Sequence, residues 1–444
     1  MGGVVSALSA FDTQMNGDGR RLEGGRVAAG NNAVVFEASV FDPETDVGKV
    51  VYVRGAGENG GPYRSEITAV DDDGCVARVE LPFATSQPST MVAWGTDNAG
   101  PIQAELDEGK TVFLRGGVYL LSRPLVLRDG SRLAGVGSFP KRRTSYVYAG
   151  PDRLGQGGSF SVLLYVGDSG PNTAVVRLSK TPVGEDGSAF TGPQSRETTD
   201  LVGASVSNVH VDANGLAEYG VYAYRAGNQT PVSDVSVEAA VDANFVFLGL
   251  FAAACGGVLR SYEAGNRGFV VGVNIFNWTS GEHRCFNLSA AFHTAFNRGC
   301  GGEWAGARGS TLTLTSENNG AEALIASIPP SGGPSTIACE YIEANGAGPT
   351  ILYAAGSTGM TFGAGYFHPG SANCPPQNIT IRGITAAGAE ADNAGPDDRA
   401  VWLTIDRVIG VGGGNAISII SNTPRYTVTN SSSAITFPAM PPHA

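Results

Sequence analysis

Charged residues are scarce in this chain, and several familiar sequence signals are missing from it. Only 16% of its 444 residues are charged, which excludes a long charged coiled coil. The six cysteines form no CxxC pair, so the pattern favours neither a zinc site nor a small disulfide scaffold. The longest apolar run, Phe245 to Cys255, is too short to span a bilayer. The N-terminus has no basic region followed by an apolar stretch, so we expect no secretory signal.

Basic side chains are outnumbered by acidic ones, 29 to 41, which gives a formal net charge of −12. An acidic chain lacks the electrostatic footprint of a protein that binds nucleic acid or an anionic membrane. We therefore expect no nucleic-acid partner and no membrane insertion. No P-loop, HExxH or EF-hand motif is present. We predict no cofactor and no metal ligands, and a calcium site built from acidic loops stays open.

Glycine is abundant, with 63 residues, and 42% of the chain is hydrophobic. Such a chain can bury a sizeable core and makes many turns, which is typical of β structure. Short apolar runs separated by glycine and aspartate clusters predict strands almost throughout. The exception is residues 95–109, where Asp97 or Asn98 can cap a helix. Ile102 and Leu106, four residues apart, give that helix one apolar stripe.

A turn motif recurs from residue 205 onward. The sequence VDAN at residues 211–214 is repeated at 241–244, and looser forms follow at 263–266, 317–320 and 343–346. One turn motif in each short repeat is a solenoid signature, and short strands indicate a parallel β-helix. Asp and Asn at turns hydrogen-bond to their own backbone. We interpret the following motif residues as structural: Asp212, Asn214, Asp242, Asn244, Glu343 and Asn345.

Three stretches of the sequence resemble one known class of β-helix proteins. GTDNAGPIQAELDEGKTVFLRGGVYLLSRPLVLRDGSRLAGVG, residues 95–137, is similar to the opening of these proteins, which has a GTD segment, a capping helix and a GxY strand. VFDPETDVGKVVYVRGAGENGGPYRSEITAV, residues 40–70, is similar to a small β domain that precedes the helix. ACEYIEANGAGPTILYAAGSTGMTFGAGYFHPG, residues 338–370, resembles middle rungs. This class is the pectate-lyase-like single-stranded right-handed β-helix proteins. Within it, the sequence resembles phage tail spikes and tail fibres in particular.

The resemblance implies an all-β fold, a right-handed parallel β-helix with a short N-terminal capping helix and a small N-terminal β domain. We expect five parts along the chain. They are an N-terminal arm or attachment segment (1–33), the small β domain (34–94), the capping helix (95–110), the β-helix (111–424) and a C-terminal tail (425–444).

The resemblance also implies a function, that of a phage virion spike or fibre which binds host cell-surface polysaccharide. Such a protein is assembled in the host cytoplasm and displayed on the particle surface. Spikes of this class are usually homotrimers, and Phe245, Phe247 and Phe251 are apolar positions that one solenoid is not expected to cover. We therefore predict a homotrimer whose N-terminal segment contacts other virion proteins. Three alternatives stay open. The spike could also cleave the glycan, the protein could be a depolymerase (a glycoside hydrolase or a lyase) acting as an enzyme in its own right, or it could be a purely structural virion component.

Charged and aromatic residues concentrate between residues 262 and 304. Glu263, Glu282 and Glu303 are spaced by 19 and 21 residues, close to one rung each. Equivalent positions on adjacent rungs lie about 4.8 Å apart, the spacing of paired strands. Two carboxylates near that separation suit a retaining glycosidase, and a wider gap suits an inverting one. These three glutamates are therefore candidate catalytic residues.

Side chains near these glutamates are candidates for substrate binding. Aromatic rings offer flat apolar faces that suit sugars, and a carboxylic acid beside such rings can protonate a glycosidic oxygen. His283 or Arg284 could instead stabilise a uronate in a lyase reaction. The alternative is a solvated charged face with the tryptophans packed in a trimer interface. The candidate binding residues are Tyr262, Trp278, His283, Arg284 and Trp304.

Overall fold

The computed structural model describes two β structures joined by one helix. It describes residues 15–138, 160–180, 182–183, 201–224, 226, 232–248, 255–272 and 289–305, and beyond these the strands between Thr311 and Thr436. Within these ranges no helix combines the length and the apolar character needed to cross a membrane.

The first structure is a closed six-stranded barrel with the strand order β1-β2-β5-β4-β3-β6. Every pair in it is antiparallel. Its core is aromatic and centres on Trp94, whose ring lies 4.7 Å from that of Phe41. The strands are β1 (Arg20–Val27), β2 (Ala33–Val35), β3 (Val50–Val53), β4 (Tyr63–Val70), β5 (Val76–Val79) and β6 (Gln87–Gly95), with a 3₁₀ turn at Glu58–Gly60.

The barrel fits the predicted small β domain but begins earlier in the chain. Strand β1 lies inside residues 1–33, which we expected to be an arm. Its backbone pairs with both β2 and β6, so the barrel closes only with this strand. Gly19 also donates a backbone hydrogen bond to Val118. The arm interpretation is therefore wrong for these residues, and residues 1–14 lie outside the described part of the chain.

One α-helix, α1 (Ala99–Asp107), follows the barrel where the sequence predicts a helix. Ile102 and Leu106 are fully buried, as their spacing predicts. The carboxylate of Asp97 accepts a hydrogen bond from the backbone N–H of Ala99 at 3.1 Å, which satisfies one of the donors that a helix leaves open at its start. The helix packs against the first strands of the second structure, and its role as a cap stays a prediction.

The second structure is a parallel β-helix, in which each of the first five rungs adds one strand to each of three sheets. All strand pairs in it are parallel. The right hand implied by the resemblance stays a prediction. The strands of the first five rungs are β7 (Thr111–Phe113), β8 (Gly117–Leu121), β9 (Leu125–Val126), β10 (Arg132–Ala134), β11 (Ser161–Tyr165), β12 (Gly170–Leu178), β13 (Ser205–Ser207), β14 (His210–Asp212), β15 (Ala217–Tyr224), β16 (Val232–Ser233), β17 (Ser236–Glu238), β18 (Ala243–Leu248), β19 (Cys255–Gly256), β20 (Val258–Tyr262) and β21 (Arg267–Gly272).

The later rungs continue two of the three sheets. Among the described residues, the first sheet has five strands, the last of them β19, the second has 13 strands and the third has 11. Two strands lie within residues 425–444, so the β-helix extends into the predicted tail. The strands are β22 (Ser289–Ala295), β23 (Glu303–Ala305), β24 (Thr311–Glu317), β25 (Leu324–Ile328), β26 (Ser335–Glu343), β27 (Thr350–Ala355), β28 (Met360–Gly363), β29 (Gly365–His368), β30 (Ile379–Thr385), β31 (Leu403–Asp406), β32 (Val408–Gly410), β33 (Ile417–Ser421), β34 (Tyr426–Thr429) and β35 (Ile435–Thr436).

Stacked phenylalanines fill the middle of the solenoid. Phe245, Phe247 and Phe269 are fully buried, and Phe292 is almost fully buried. The rings of Phe269 and Phe292 are stacked, with their centroids 4.1 Å apart. The expectation that Phe245 and Phe247 need cover from another chain is therefore wrong, because alternate residues of a strand face the same side, here the interior. Phe251 lies outside the described residues.

The recurring turn motif does not mark equivalent rung positions. Asp212 pairs with Glu238, whereas Ala243 pairs with Tyr219. The two VDAN sequences lie at opposite ends of the same corner, between the second and third sheets. Because rungs differ in length, a fixed sequence interval cannot give the register.

Two asparagines of the motif, Asn214 and Asn244, nevertheless have the structural role that we assigned to them, whereas Asn345 lies outside the described residues. Asn214 adopts a left-handed conformation with φ of 58°. The amide of Asn244 accepts a hydrogen bond from the N–H of Ala240 at 3.1 Å and donates to the carbonyl of Tyr262 at 2.7 Å. These bonds satisfy buried backbone groups at the corner, which would otherwise cost folding free energy.

A buried ion pair joins the barrel to the solenoid. The guanidinium of Arg21, on β1, donates a hydrogen bond to the carboxylate of Asp212, at the end of β14. The side chains are only 5% and 0% exposed. Beside this pair, Arg54 of the barrel donates to the side-chain oxygen of Asn214 at 3.3 Å. Both contacts join the barrel to the third rung, which consists of β13, β14 and β15.

We expect Phe292→Ala to destabilise the solenoid by about 3–5 kcal/mol, because it removes a ring from a close-packed stack and leaves a cavity. Urea unfolding measures the loss. Val202→Ala is the control, since Val202 is 51% exposed and surface changes cost about 0.5 kcal/mol or less. Equal losses in the two variants would show that the phenylalanine stack contributes little.

We expect Arg21→Met to destabilise the protein by about 3–5 kcal/mol, because it leaves the Asp212 carboxylate buried without its cation. The double variant Arg21→Met/Asp212→Asn removes that charge and keeps an oxygen acceptor for the N–H of Asn214. It should recover most of the loss in the free energy of unfolding. If the double variant is as unstable as the single one, charge pairing does not hold the barrel in place.

Candidate functional site

A cleft lies between the barrel and the corner of the solenoid. Its volume is about 710 Å³. We call it the barrel–solenoid cleft. The barrel side contributes Arg21, Tyr52, Arg54 and Pro62, and the solenoid side contributes Asn214, Leu216, Ala239, Val241, Glu263, Phe296 and Arg298 among others.

Three residues on successive rungs of the corner share a left-handed backbone. Ala239, Glu263 and Phe296 have φ values of 59°, 51° and 59°. The N–H of Ala239 bonds to the carbonyl of Tyr262, and that of Glu263 to the carbonyl of Ala295, both at 3.2 Å. This conformation costs a residue other than glycine about 1–3 kcal/mol, and such strain clusters at functional sites. All three residues line the cleft, so the corner turns their positions toward it.

The barrel wall of the cleft carries a phenol and a guanidinium in contact. Tyr52 is almost fully buried, and burial raises the pKa of its phenol, against the opposing effect of the hydrogen bond from Arg54. The phenol therefore stays protonated at neutral pH. Arg54 is itself exposed and bonded to Asn214 across the cleft. Barrel and solenoid thus present fixed polar groups to the same space.

The solenoid wall carries one carboxylate and one guanidinium. Glu263 is half-buried and Arg298 is exposed. The backbone N–H of Arg298 bonds to the carbonyl of Ala264 at 2.9 Å, which places the two residues on neighbouring rungs. Together with the ring of Phe296 and the exposed side chain of Val241, these groups give the cleft both apolar surface and hydrogen-bonding groups.

The structure places only one predicted catalytic residue in this cleft, Glu263. Tyr262 precedes it, but its ring is 1% exposed and packs edge-on against His293, with centroids 5.8 Å apart. The ring of Tyr262 thus belongs to the packed wall behind the cleft. Four other candidates lie entirely outside the described residues, namely Trp278, Glu282, His283 and Arg284. For Glu303 and Trp304 the structure describes the backbone but not the side chain.

The backbone register separates Glu263 from Glu303. Glu303 pairs with Val270, in the third sheet. Glu263 follows the second sheet and bonds to the rung that carries Ala295 and Phe296. The two glutamates therefore do not stack in the single column that their spacing suggested. Their catalytic roles stay predictions.

Sequence reasoning missed the barrel half of the cleft. Tyr52 and Arg54 are separated from Glu263 by most of the barrel and four rungs, and no local pattern marks them. These residues could be found only from the docking of the barrel, which depends on tertiary contacts.

Among the described residues no group of three or more His, Cys, Asp or Glu side chains could hold a metal ion, and a calcium site elsewhere stays open.

Neither a family model nor a curated protein sequence matches this chain. Similar solved structures include the A-module of mannuronan C-5 epimerase AlgE4 from Azotobacter vinelandii, with a TM-score of 0.41 and 14% identity over 78% of this chain and 95% of that one. An α-1,3-glucanase catalytic unit from Streptomyces thermodiastaticus has a TM-score of 0.34 and 12% identity, over 93% and 89%. The tailspike gp49 of Pseudomonas phage LKA1 has a TM-score of 0.26 and 10% identity, over 95% and 66%.

These likenesses are too distant to assign an activity. The β-helix is established by the strand order and the register of this chain itself.

His293, beside Tyr262, makes the stability of this part of the solenoid depend on pH. Burial and the neighbouring Arg260 lower the pKa of His293 to about 4. The unfolded chain takes up this proton near pH 6.5, so acidification between these values favours the unfolded state. The expected loss between about pH 7 and about pH 5 is about 2 kcal/mol.

His293→Phe should remove this part of the pH dependence, because a phenyl ring keeps the contact with Tyr262 and cannot take up a proton. We expect the free energy of unfolding of this variant, measured in urea, to fall less between the two pH values than that of the wild-type chain. Parallel pH profiles for the two proteins would contradict the assignment.

Proposed function

We propose that this protein binds polysaccharide and that the barrel–solenoid cleft is its binding site. The observation that carries the proposal is the cleft itself, with its aromatic and apolar walls and its fixed polar groups. Sugar rings have apolar C–H faces and a rim of hydroxyls, so they bind where aromatic surface and hydrogen-bonding groups converge. Phe296, Val241, Arg54 and Glu263 supply that combination.

The size of the cleft agrees with this ligand class. Its volume of about 710 Å³ lies within the range of about 300–1,000 Å³ that is typical of small-molecule sites, and it is open rather than enclosed. An open cleft accepts an internal segment of a polymer, whereas an enclosed cavity accepts only a chain end. The surface of the β-helix then extends beyond the cleft at the same strand spacing, which suits a polymer with a repeating unit.

The more specific part of the proposal is a phage virion spike or fibre on the particle surface, a homotrimer that contacts the host glycan. Its support is the resemblance of residues 40–70, 95–137 and 338–370 to such proteins. The phenylalanines that first suggested a trimer contact are interior, so the trimer now depends on the resemblance alone. A further part is the contact of the N-terminal segment with other virion proteins.

An enzyme is the second candidate, and Glu263 is the observation that favours it. A half-buried carboxylate in a polar cleft is a suitable general acid or base. Glycoside hydrolysis needs a second carboxyl group, and Glu282 and Glu303 remain candidates for it. A lyase would need a base and a group that neutralises a uronate, for which Arg298 is suitably placed on the next rung.

We expect Val241→Trp to weaken binding to the recognised polysaccharide about tenfold, or about 1.4 kcal/mol. Val241 lines the cleft and is 46% exposed, so an indole there occupies ligand space without removing a polar group. The matched control is Val202→Trp, at a valine that is 51% exposed and outside the cleft. Binding is measured by titration calorimetry against purified bacterial surface polysaccharides.

Wild-type binding to no polysaccharide, or equal binding by the two tryptophan variants, would count against the cleft as a glycan site. The same mixtures separate the enzymatic alternatives. Hydrolysis produces new reducing ends alone, and a lyase produces unsaturated fragments that absorb in the ultraviolet. If the polymer is bound but not shortened, the protein binds the polysaccharide without cleaving it.

A further inference from the structure

The charge of the barrel–solenoid cleft is opposite to that of the whole chain. The chain carries a formal net charge of −12. Among the described residues that line the cleft, three are arginines, Arg21, Arg54 and Arg298, and one is a carboxylate, Glu263. Because Asp212 neutralises Arg21, the charges that face the cleft are the two guanidinium groups of Arg54 and Arg298 and one carboxylate. A cleft that is locally cationic on an acidic protein concentrates anions from solution.

The three guanidinium groups are not equivalent. Arg21 is buried and engaged with Asp212, so it serves the joint between barrel and solenoid. Arg54 is exposed and anchored by Asn214 and Tyr52. A guanidinium has five N–H donors, and these two contacts leave others for a ligand. The anchoring also reduces the rotamer entropy that Arg54 loses when a ligand binds.

Arg298 faces the same space from the solenoid. Its side chain is exposed, and within the described part of the chain it has no ion-pair partner. It follows Phe296, whose left-handed backbone turns the chain at the corner. One guanidinium therefore stands on each wall of the cleft, so a polysaccharide in the cleft passes between the two.

We propose that the polysaccharide bound in this cleft is acidic, with an anionic group on the sugar held by Arg54 and Arg298. This inference rests on the function proposed above and names its ligand class. The planar fork of a guanidinium matches carboxylate and phosphate oxygens with two parallel hydrogen bonds. Neutral sugars offer no such partner, and leaving two desolvated guanidinium groups without anions is unfavourable.

The test uses the full chain and a panel of bacterial surface polysaccharides in three forms. The forms are the native polymer, the polymer after chemical reduction of its carboxyl groups, and the polymer after removal of its phosphates. We expect only acidic polymers to bind, and one of the two treatments to weaken binding about ten- to a hundredfold, as the loss of a charged hydrogen bond does. The effective treatment identifies a carboxylate or a phosphate.

Two cleft variants and one control accompany the panel. Arg298→Ala should weaken binding by a similar factor, and Arg54→Lys less, since it keeps the charge and loses the fork. Arg132→Ala is the control, because Arg132 is exposed on β10, outside the cleft. Binding by the wild-type chain should also weaken as the Debye length falls from about 10 Å at 0.1 M salt to about 3 Å at 1 M.

The two proposals fail in different ways. Neutral polymers that bind as tightly as acidic ones, with Arg298→Ala unchanged and Val241→Trp impaired, would overturn the acidic ligand and keep the glycan cleft. Binding to no polymer in any form, or binding that Val241→Trp leaves intact, would overturn the proposed function itself. A loss in Arg132→Ala equal to that in Arg298→Ala would show attraction without a site, and would overturn the inference.

Discussion

A buried ion pair between Arg21 and Asp212 links the two walls of the candidate site. Each wall of the cleft is rigid by itself, one in a closed barrel and the other in a stacked solenoid. Their relative position depends on polar contacts at the joint, among which this ion pair is buried, and on apolar packing, because Tyr52, Met91 and Ala93 of the barrel belong to the same core cluster as the solenoid. Two charges removed from water stabilise only the geometry in which they meet. The pair therefore favours one relative position of the two walls of the cleft.

The solenoid wall owes its form to the corner between the second and third sheets. Parallel rungs must repeat the same sharp bend, and at Ala239, Glu263 and Phe296 the chain does so with a left-handed residue. The cost of that conformation is offset by the hydrogen bonds between rungs and by the phenylalanine stack within them. The side chains at the corner are thereby free to differ, from Ala to Glu to Phe, and so to form a ligand surface.

The acidic character of the chain and the arginines of its cleft both affect which polysaccharides could bind. A negative surface repels other acidic polymers everywhere except at a cationic cleft. Specificity for an acidic glycan would then come from both attraction at Arg54 and Arg298 and repulsion elsewhere. Glycoside hydrolysis by Glu263 would need a second acid, which the described residues do not supply in the cleft.

Local patterns in the sequence determined much of the fold. The alternation of Val50–Val53, the stripe of Ile102 and Leu106, and the glycine- and asparagine-rich turns each act within a few residues, so strands, helix and solenoid were predictable. The register was decided by tertiary structure, because rungs of unequal length pair by core packing rather than by sequence interval. For that reason Glu263 and Glu303 do not stack, and Phe245 is interior. The cleft could not be predicted from local patterns. Arg54 and Glu263 line the same cleft only after the barrel packs against the solenoid, where Arg21 and Asp212, residues far apart in the chain, form an ion pair.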